Sequence, residues 1–300
     1  MEYIRTFSRD FEVGEQCELA VDSRSGTVSV RGDDTTRARI EVVARLWADD
    51  DAEADDQLEM IKRGVKLEGK TVSIRAPTLL RPRPFIIFGM GPRIDYQVTV
   101  PRRTKANIAS RSGRVEVESI GGPVEVVSRS GRVSISDIAR DVTIESRSGS
   151  VQARSIAGAL EIESRSGSVR VEGVGKDLRM RSRSGSIQIE QVRGAVEVAT
   201  RSGGISVIEA GSSVKLSTHA GAVRYEGAVR GDFDIDVTAG AVRLAVDPES
   251  VFFLDAESSH GAVRSDLEMR TNARTAPVAR EDAPTVRIRA RAGAIHLVPR

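Results

Sequence analysis

Ser110-Arg111-Ser112-Gly113-Arg114-Val115-Glu116-Val117 is the stretch that decides the fold, because the chain keeps rewriting it. The tetrad Ser-Arg-Ser-Gly returns at 128–131, 146–149, 164–167 and 182–185, then decays to Thr-Arg-Ser-Gly at 200–203 and Thr-His-Ala-Gly at 218–221. Its glycines stand at 113, 131, 149, 167, 185, 203 and 221, a period of 18 without a slip. Self-similarity at a fixed period of this length is the signature of a solenoid, in which each unit buries its apolar face only against its neighbours.

Within a unit, apolar and polar residues alternate, which is the period of a β-strand. Val115 and Val117 point inward and Glu116 outward; after a turn through Ser119 to Gly122, Val124 and Val126 point inward with Glu125 between them. Ser128 and Ser130 share the inward parity and Arg129 points out. Stacking the units gives aliphatic columns, of which one reads Val115, Val133, Val151, Val169, Ile187, Ile205, Val223. A second starts at Val124 and a third at Ile120. A stack of antiparallel hairpins is the competing arrangement, but its Asn-Gly and Asp-Gly turns are missing from these corners. A parallel solenoid of two-strand coils is therefore expected, with the repeated glycine at a site of positive φ or close approach.

The serial Ser-x-Ser-Gly-x-Val-x-Val phrases resemble the DUF4097 family of adhesin-like β-strand-repeat proteins, over most of the chain. The resemblance implies an all-β solenoid. It implies no activity and no cofactor, and the adhesin label is an analogy.

Composition narrows the function classes. Forty-five basic residues face 43 acidic ones, so net charge argues for no partner by itself. One cysteine, Cys17, excludes an intrachain disulfide framework. The first ten residues carry four charges and no apolar leader core, and no run reaches membrane-spanning length, so a cytoplasmic protein is expected. One continuous domain is expected in three parts: N-terminal coils and cap over 1–95, regular repeats over 96–230, and irregular C-terminal coils over 231–300. An early copy of the phrase, Ser23-Arg24-Ser25-Gly26, lies in the first part, with Phe7 and Phe11 ahead of it to cover the open end. Residues 49–63 read as a short inserted helix, acidic at its start, basic at its end and stopped by Gly64. Beyond Gly221 the glycines drift to 240, 261 and 293, and 266–284 reads as a surface excursion.

Two features are candidate contact surfaces. The loop 77–92 holds four prolines and two glycines, yet carries Phe85, Ile86, Ile87, Phe88 and Met90. It is either a lid on the solenoid or a surface for a protein partner or a membrane. The other is the column Arg111, Arg129, Arg147, Arg165, Arg183 and Arg201, followed by His219. Coils spaced about 4.8 Å apart put like charges at a separation where water leaves a repulsion of somewhat under about 1 kcal/mol per pair. Glu145 and Glu163 share the parity of the arginines that follow them and are expected to neutralise part of the column. The column suits a polyanion or an anionic lipid surface. Specific nucleic-acid binding is not expected, since no aromatic residue lies between Tyr96 and Tyr225. No paired carboxylates persist over adjacent coils, the three histidines are scattered, and no phosphate-binding glycine loop precedes a helix, so no catalytic, cofactor or metal site is expected. The reading is a non-enzymatic binding or scaffolding solenoid, monomeric or a small oligomer. Polyanion binding through the arginines and filament formation are its alternatives.

Overall fold

The computed structural model describes residues 1–77, 92–267 and 283–300. The chain forms two compact units, Met1–Gln152 and Ala153–Arg300, each a stretch of parallel β-solenoid with two strands per coil.

The first unit contains β1 (Glu2–Glu12), β2 (Glu18–Ser23), β3 (Thr27–Asp33), β4 (Arg37–Trp47), α1 (Asp51–Arg63), β5 (Val65–Glu68), β6 (Thr71–Arg75), β7 (Arg93–Pro101), β8 (Lys105–Ile120), β9 (Val124–Ile138) and β10 (Val142–Ser148). β8 and β9 each run through both strands of a coil and bend at the tetrad. They pair in parallel at an offset of 18, with Ile108 beside Val126, Ser110 beside Ser128, Gly113 beside Gly131 and Val115 beside Val133. The aliphatic columns are buried as expected.

The inward set of the second strand is Val115, Val117 and Ile120, so one residue must break the alternation, or Ile120 would face solvent. The break is Ser119, with φ of 59°, and its equivalent Asp137 has φ of 56°. In the second unit the same place holds Ser155, Gly173, Gln191 and Glu209, all left-handed. Because most of these are not glycine, the sequence did not flag them.

Coils do not stack in chain order at this end. The early copy in β2 and β3 lies directly on β8, with Ser23 beside Ser110 and Val28 beside Val115. On its other side it pairs with β6 and β7. The chain thus leaves its first coil, lays a second one outside it, and returns. The outer side continues in antiparallel pairing, β4 on β7, β1 on β4 and β5 on β6.

The helix packs on β1, β4 and β5. Asp50 caps it, accepting from the Glu53 amide at 2.8 Å. Ala54, Leu58 and Ile61 are buried, and Arg5 of β1 reaches Asp51 and Asp55. The helix is therefore an end cap, not a solvated insertion. Gly64 ends it in right-handed geometry, φ −75°. Glycine is needed there for space, since a β-carbon would stand 2.2 Å from the Arg75 carbonyl oxygen. Phe7 and Phe11 are half-buried on β1, opposite Val42 and Ala38.

In the second unit, pairs from Leu160 to Glu226 keep the offset of 18. Phe233 then takes the buried place next to Val214 and meets Tyr225 edge-on, ring centroids 4.7 Å apart. Burial pushes the Tyr225 hydroxyl up to about 12, and it donates to the Ala228 carbonyl at 2.6 Å. Chain order fails again beyond this point. Strand Phe233–Ala239 pairs with Thr285–Ala292, and only the latter pairs with Phe253–Ser258. Val242–Val246 likewise pairs with Ile295–Pro299, which pairs with Val263–Ser265. The glycines that sequence order would stack as 240, 261, 293 stack as 240, 293, 261.

Candidate functional site

Each tetrad is the corner between the two strands of a coil. Its glycine has φ of 122° to 129° from Gly113 to Gly203, a region side chains rarely enter. A β-carbon at Gly131 would stand 1.7 Å from the Gly113 carbonyl oxygen, and one at Gly185 1.8 Å from that of Gly167. The first serine of the tetrad is buried, as at Ser110, Ser128, Ser146 and Ser164. Ser182 and Thr200 donate from this place to the carbonyls of Ser184 and Ser202, both at 3.3 Å. The second serine does not point into the core as its parity suggested. It is half-exposed in most tetrads and donates to the arginine carbonyl of the preceding coil. In the first unit these bonds run from Ser130 to Arg111 and from Ser148 to Arg129, both at 3.2 Å. In the second they run from Ser184 to Arg165 and from Ser202 to Arg183, at 3.4 and 3.5 Å.

With its carbonyl held in this way, each corner arginine sends its side chain outward. Arg111, Arg129 and Arg147 are exposed in the first unit, and Arg165, Arg183 and Arg201 in the second. Among the described residues no carboxylate pairs with Arg111, Arg129, Arg165, Arg183 or Arg201. The expected neutralisation by Glu163 does not occur. Its neighbour in register is Arg181 of the next coil, 3.9 Å away, the cross-strand contact that the ladder offers it. Glu145 lies opposite Val127.

The outer face of the same strands in the second unit carries a charge pattern that follows the register. Register places Glu161, Arg179, Glu197, Lys215, Asp234, Arg287 and Asp255 in one row across seven strands. The sign alternates at every step. The row two residues further along reads Glu163, Arg181, Ala199, Ser217, Asp236, Arg289, Glu257. Arg179 meets Glu197 at 3.0 Å, and Arg289 meets Asp255 at 2.6 Å and Glu257 at 3.6 Å. The Arg289 hydrogen bond, with the charges of Arg289 and Arg287, holds the Asp255 carboxyl below the usual carboxylate value. In chain order Asp255 and Glu257 would lie against Asp234 and Asp236; the inserted strand Thr285–Ala292 puts an arginine between each pair. The first four members of the row were readable at spacing 18. The last three need the register.

Other polar features are local. A groove of about 640 Å³ follows the turns of the second unit past Ala157, Gly175, Gly211 and Arg193. At one end Arg300 holds Glu209 at 3.1 Å and Asp247 at 3.5 Å. His219 is an exposed corner residue, His260 Nδ1 lies 3.3 Å from the Arg291 carbonyl, and His296 Nε2 lies 2.9 Å from Asp266. Among the described residues no group of side chains could hold a metal ion, and no helix is long and apolar enough to cross a membrane. Phe85, Ile86, Ile87, Phe88 and Met90 lie outside the described residues, as does most of the excursion read at 266–284.

Parallel two-strand coils, a glycine corner and in-register aliphatic columns define a β-solenoid repeat protein. The chain belongs to the Toastrack DUF4097 family, whose profile matches residues 17–297. Among solved structures it is similar to a candidate adhesin from Bacteroides fragilis NCTC 9343, with 14% identity, 98% of this chain and 97% of that one covered, and a TM-score of 0.43. A candidate lipid-binding protein from Parabacteroides distasonis ATCC 8503 has 11% identity, coverage of 98% and 96%, and a TM-score of 0.37. A candidate cell adhesion protein from Clostridium sporogenes ATCC 15579 has 12% identity, coverage of 99% and 100%, and a TM-score of 0.27. Likeness of this degree assigns no ligand. No protein of curated function matches the chain.

Proposed function

We propose that this protein is a non-enzymatic binding module whose contact lines are the corner arginines within each unit and whose partner carries repeated anionic groups. The observation behind the reading is a difference in pairing. Arginines on the strand face, such as Arg179 and Arg289, sit against carboxylates. The corner arginines keep one sign and stay exposed, and among the described residues no carboxylate pairs with Arg111, Arg129, Arg165, Arg183 or Arg201. A guanidinium offers a planar fork to phosphate, sulfate or carboxylate. Within a unit, one fork per coil, about 4.8 Å apart, matches a chain or surface of such groups better than a single small anion.

The test is retention on heparin and co-sedimentation with phosphatidylglycerol vesicles, at rising salt. The variant carries Gln at positions 111, 129, 165, 183 and 201, and its melting is compared with the parent first. Salt-sensitive binding that the variant loses supports the reading, and the probe that responds separates an anionic polymer from a lipid surface. Equal behaviour of parent and folded variant on both probes removes the corner from the contact surface.

A further inference from the structure

We propose that strand Phe253–Ser258 of the second unit is a docking edge for a basic β-strand of a partner protein. Among the described residues this strand is paired on one side only, to Thr285–Ala292. In a parallel ladder alternate residues turn both backbone groups to the same neighbour. The Phe253 amide donates to the Pro284 carbonyl at 2.9 Å, so Leu254, Ala256 and Ser258 turn theirs to the open side. Their side chains are half-buried, whereas Val286, Ile288 and Ala290 beside them are fully buried. The core is therefore open here. Val251, Phe253 and Val263 are 67%, 49% and 44% exposed.

The charged rows state what the missing neighbour carries. Arg287 lies between Asp234 and Asp255, and Arg289 between Asp236 and Glu257. Among the described residues both rows stop on an acid, so the edge holds two carboxylates whose basic neighbours there, Arg287 and Arg289, are shared with a second acidic strand. The next strand in the pattern has Lys or Arg at two alternate positions and small or aliphatic residues between them. A second copy of this chain does not meet that need through the same edge, because it would set Asp255 and Glu257 against identical acids. The occupant is accordingly an extended basic segment of another chain, joined by β-augmentation. This surface attracts cations and is independent of the anion-binding corner.

The probe is a fluorescein-labelled peptide copying Thr285–Ala292, titrated by anisotropy into the full chain at low salt. The control peptide carries Glu at the positions of Arg287 and Arg289. Saturable binding of the first peptide, with the control at least about tenfold weaker, is expected. Ala256→Pro removes an amide that faces the open side and none that bonds Thr285–Ala292, so it abolishes binding while the melting temperature holds. If that variant does not fold, Glu257→Gln decides, with binding about threefold weaker expected. Equal binding of the two peptides, or binding that survives Ala256→Pro, overturns the proposal. So does concentration-dependent dimerisation that the peptide cannot reverse, which gives the edge to a second copy. Binding that requires replacement of residues 268–282 by a Gly-Ser linker overturns it in favour of this chain as its own occupant.

Discussion

Arg179 and Arg183 lie four residues apart on strand Leu178–Ser184, and the fold treats them in opposite ways. Arg179 stands on the sheet face between Glu161 and Glu197, with the latter 3.0 Å away. Arg183 stands at the corner, exposed and without a carboxylate among the described residues. Both positions recur every 18 residues. On the face of the second unit, the sign alternates from coil to coil along the row of Arg179. At the corner, the sign is constant and neighbours repel. A repeating charge that helps stacking alternates; one that does not help stacking is either left over from duplication or directed outward. The comparison thus separates charges that build the solenoid from charges available to a partner.

The largest expected effect tests what fixes the corner. Gly185 has φ of 127°, and a β-carbon there would stand 1.8 Å from the Gly167 carbonyl oxygen. Neither backbone can move without breaking the ladder, so Gly185→Ala is expected to cost more than about 3 kcal/mol in a urea unfolding measurement. An Ala variant of near-parent stability would mean that the corner is plastic and the arginine spacing is not held.

A charge reversal on each side of the comparison comes next. Arg179→Glu puts a third acid between Glu161 and Glu197 and is expected to cost about 1 kcal/mol. Arg183→Glu removes like-charge neighbours at Arg165 and Arg201 and is expected to stay within about 0.5 kcal/mol of the parent. Equal losses would show that the corner arginines are held by something the ion pairs do not reveal, and would weaken the binding proposal.

Much of this was legible in the residues, and the limits have physical causes. The 18-residue glycine period, the aliphatic columns and the helix near 49–63 follow from local periodicity, and the structure carries all three. Column order at the two irregular ends was not legible, because nothing local says that the coil of β2 and β3 must lie between β7 and β8, or that Thr285–Ala292 must enter ahead of Phe253–Ser258. Those placements depend on long-range pairing. In the second case the charges supply a reason, since Arg287 and Arg289 separate two acidic strands. The role of Ser130 and its equivalents was misread because alternation fails at the corner, where positive φ turns the chain. The corner arginines were found from the sequence. That Arg111, Arg129, Arg165, Arg183 and Arg201 have no carboxylate partner among the described residues was not, since Glu163 has the right parity and the wrong neighbour.

The smallest effect is a titration that the face shows and the corner does not. Asp255 accepts from Arg289 at 2.6 Å, and this bond, with the nearby arginine charges, lowers its carboxyl in the folded state. An unfolded aspartate binds its proton at about 3.9. As pH falls, the unfolded chain therefore takes up that proton first. The stabilisation from Asp255 is complete above the unfolded value and is lost as pH drops through the folded one. Strand Phe253–Ser258 should loosen in acid, with faster amide exchange at Asp255 and Glu257, whose amides face Thr285–Ala292, at pH 3 than intrinsic rates account for. In Arg289→Gln the Asp255 carboxyl resonance should titrate higher, nearer the unfolded value. The corner segment around Arg183 has no such carboxylate contact, so its exchange should follow intrinsic rates over the same range. If corner and edge loosened together, the two would be one cooperative element, and the division between building charges and outward charges would not extend to the end of the coil stack.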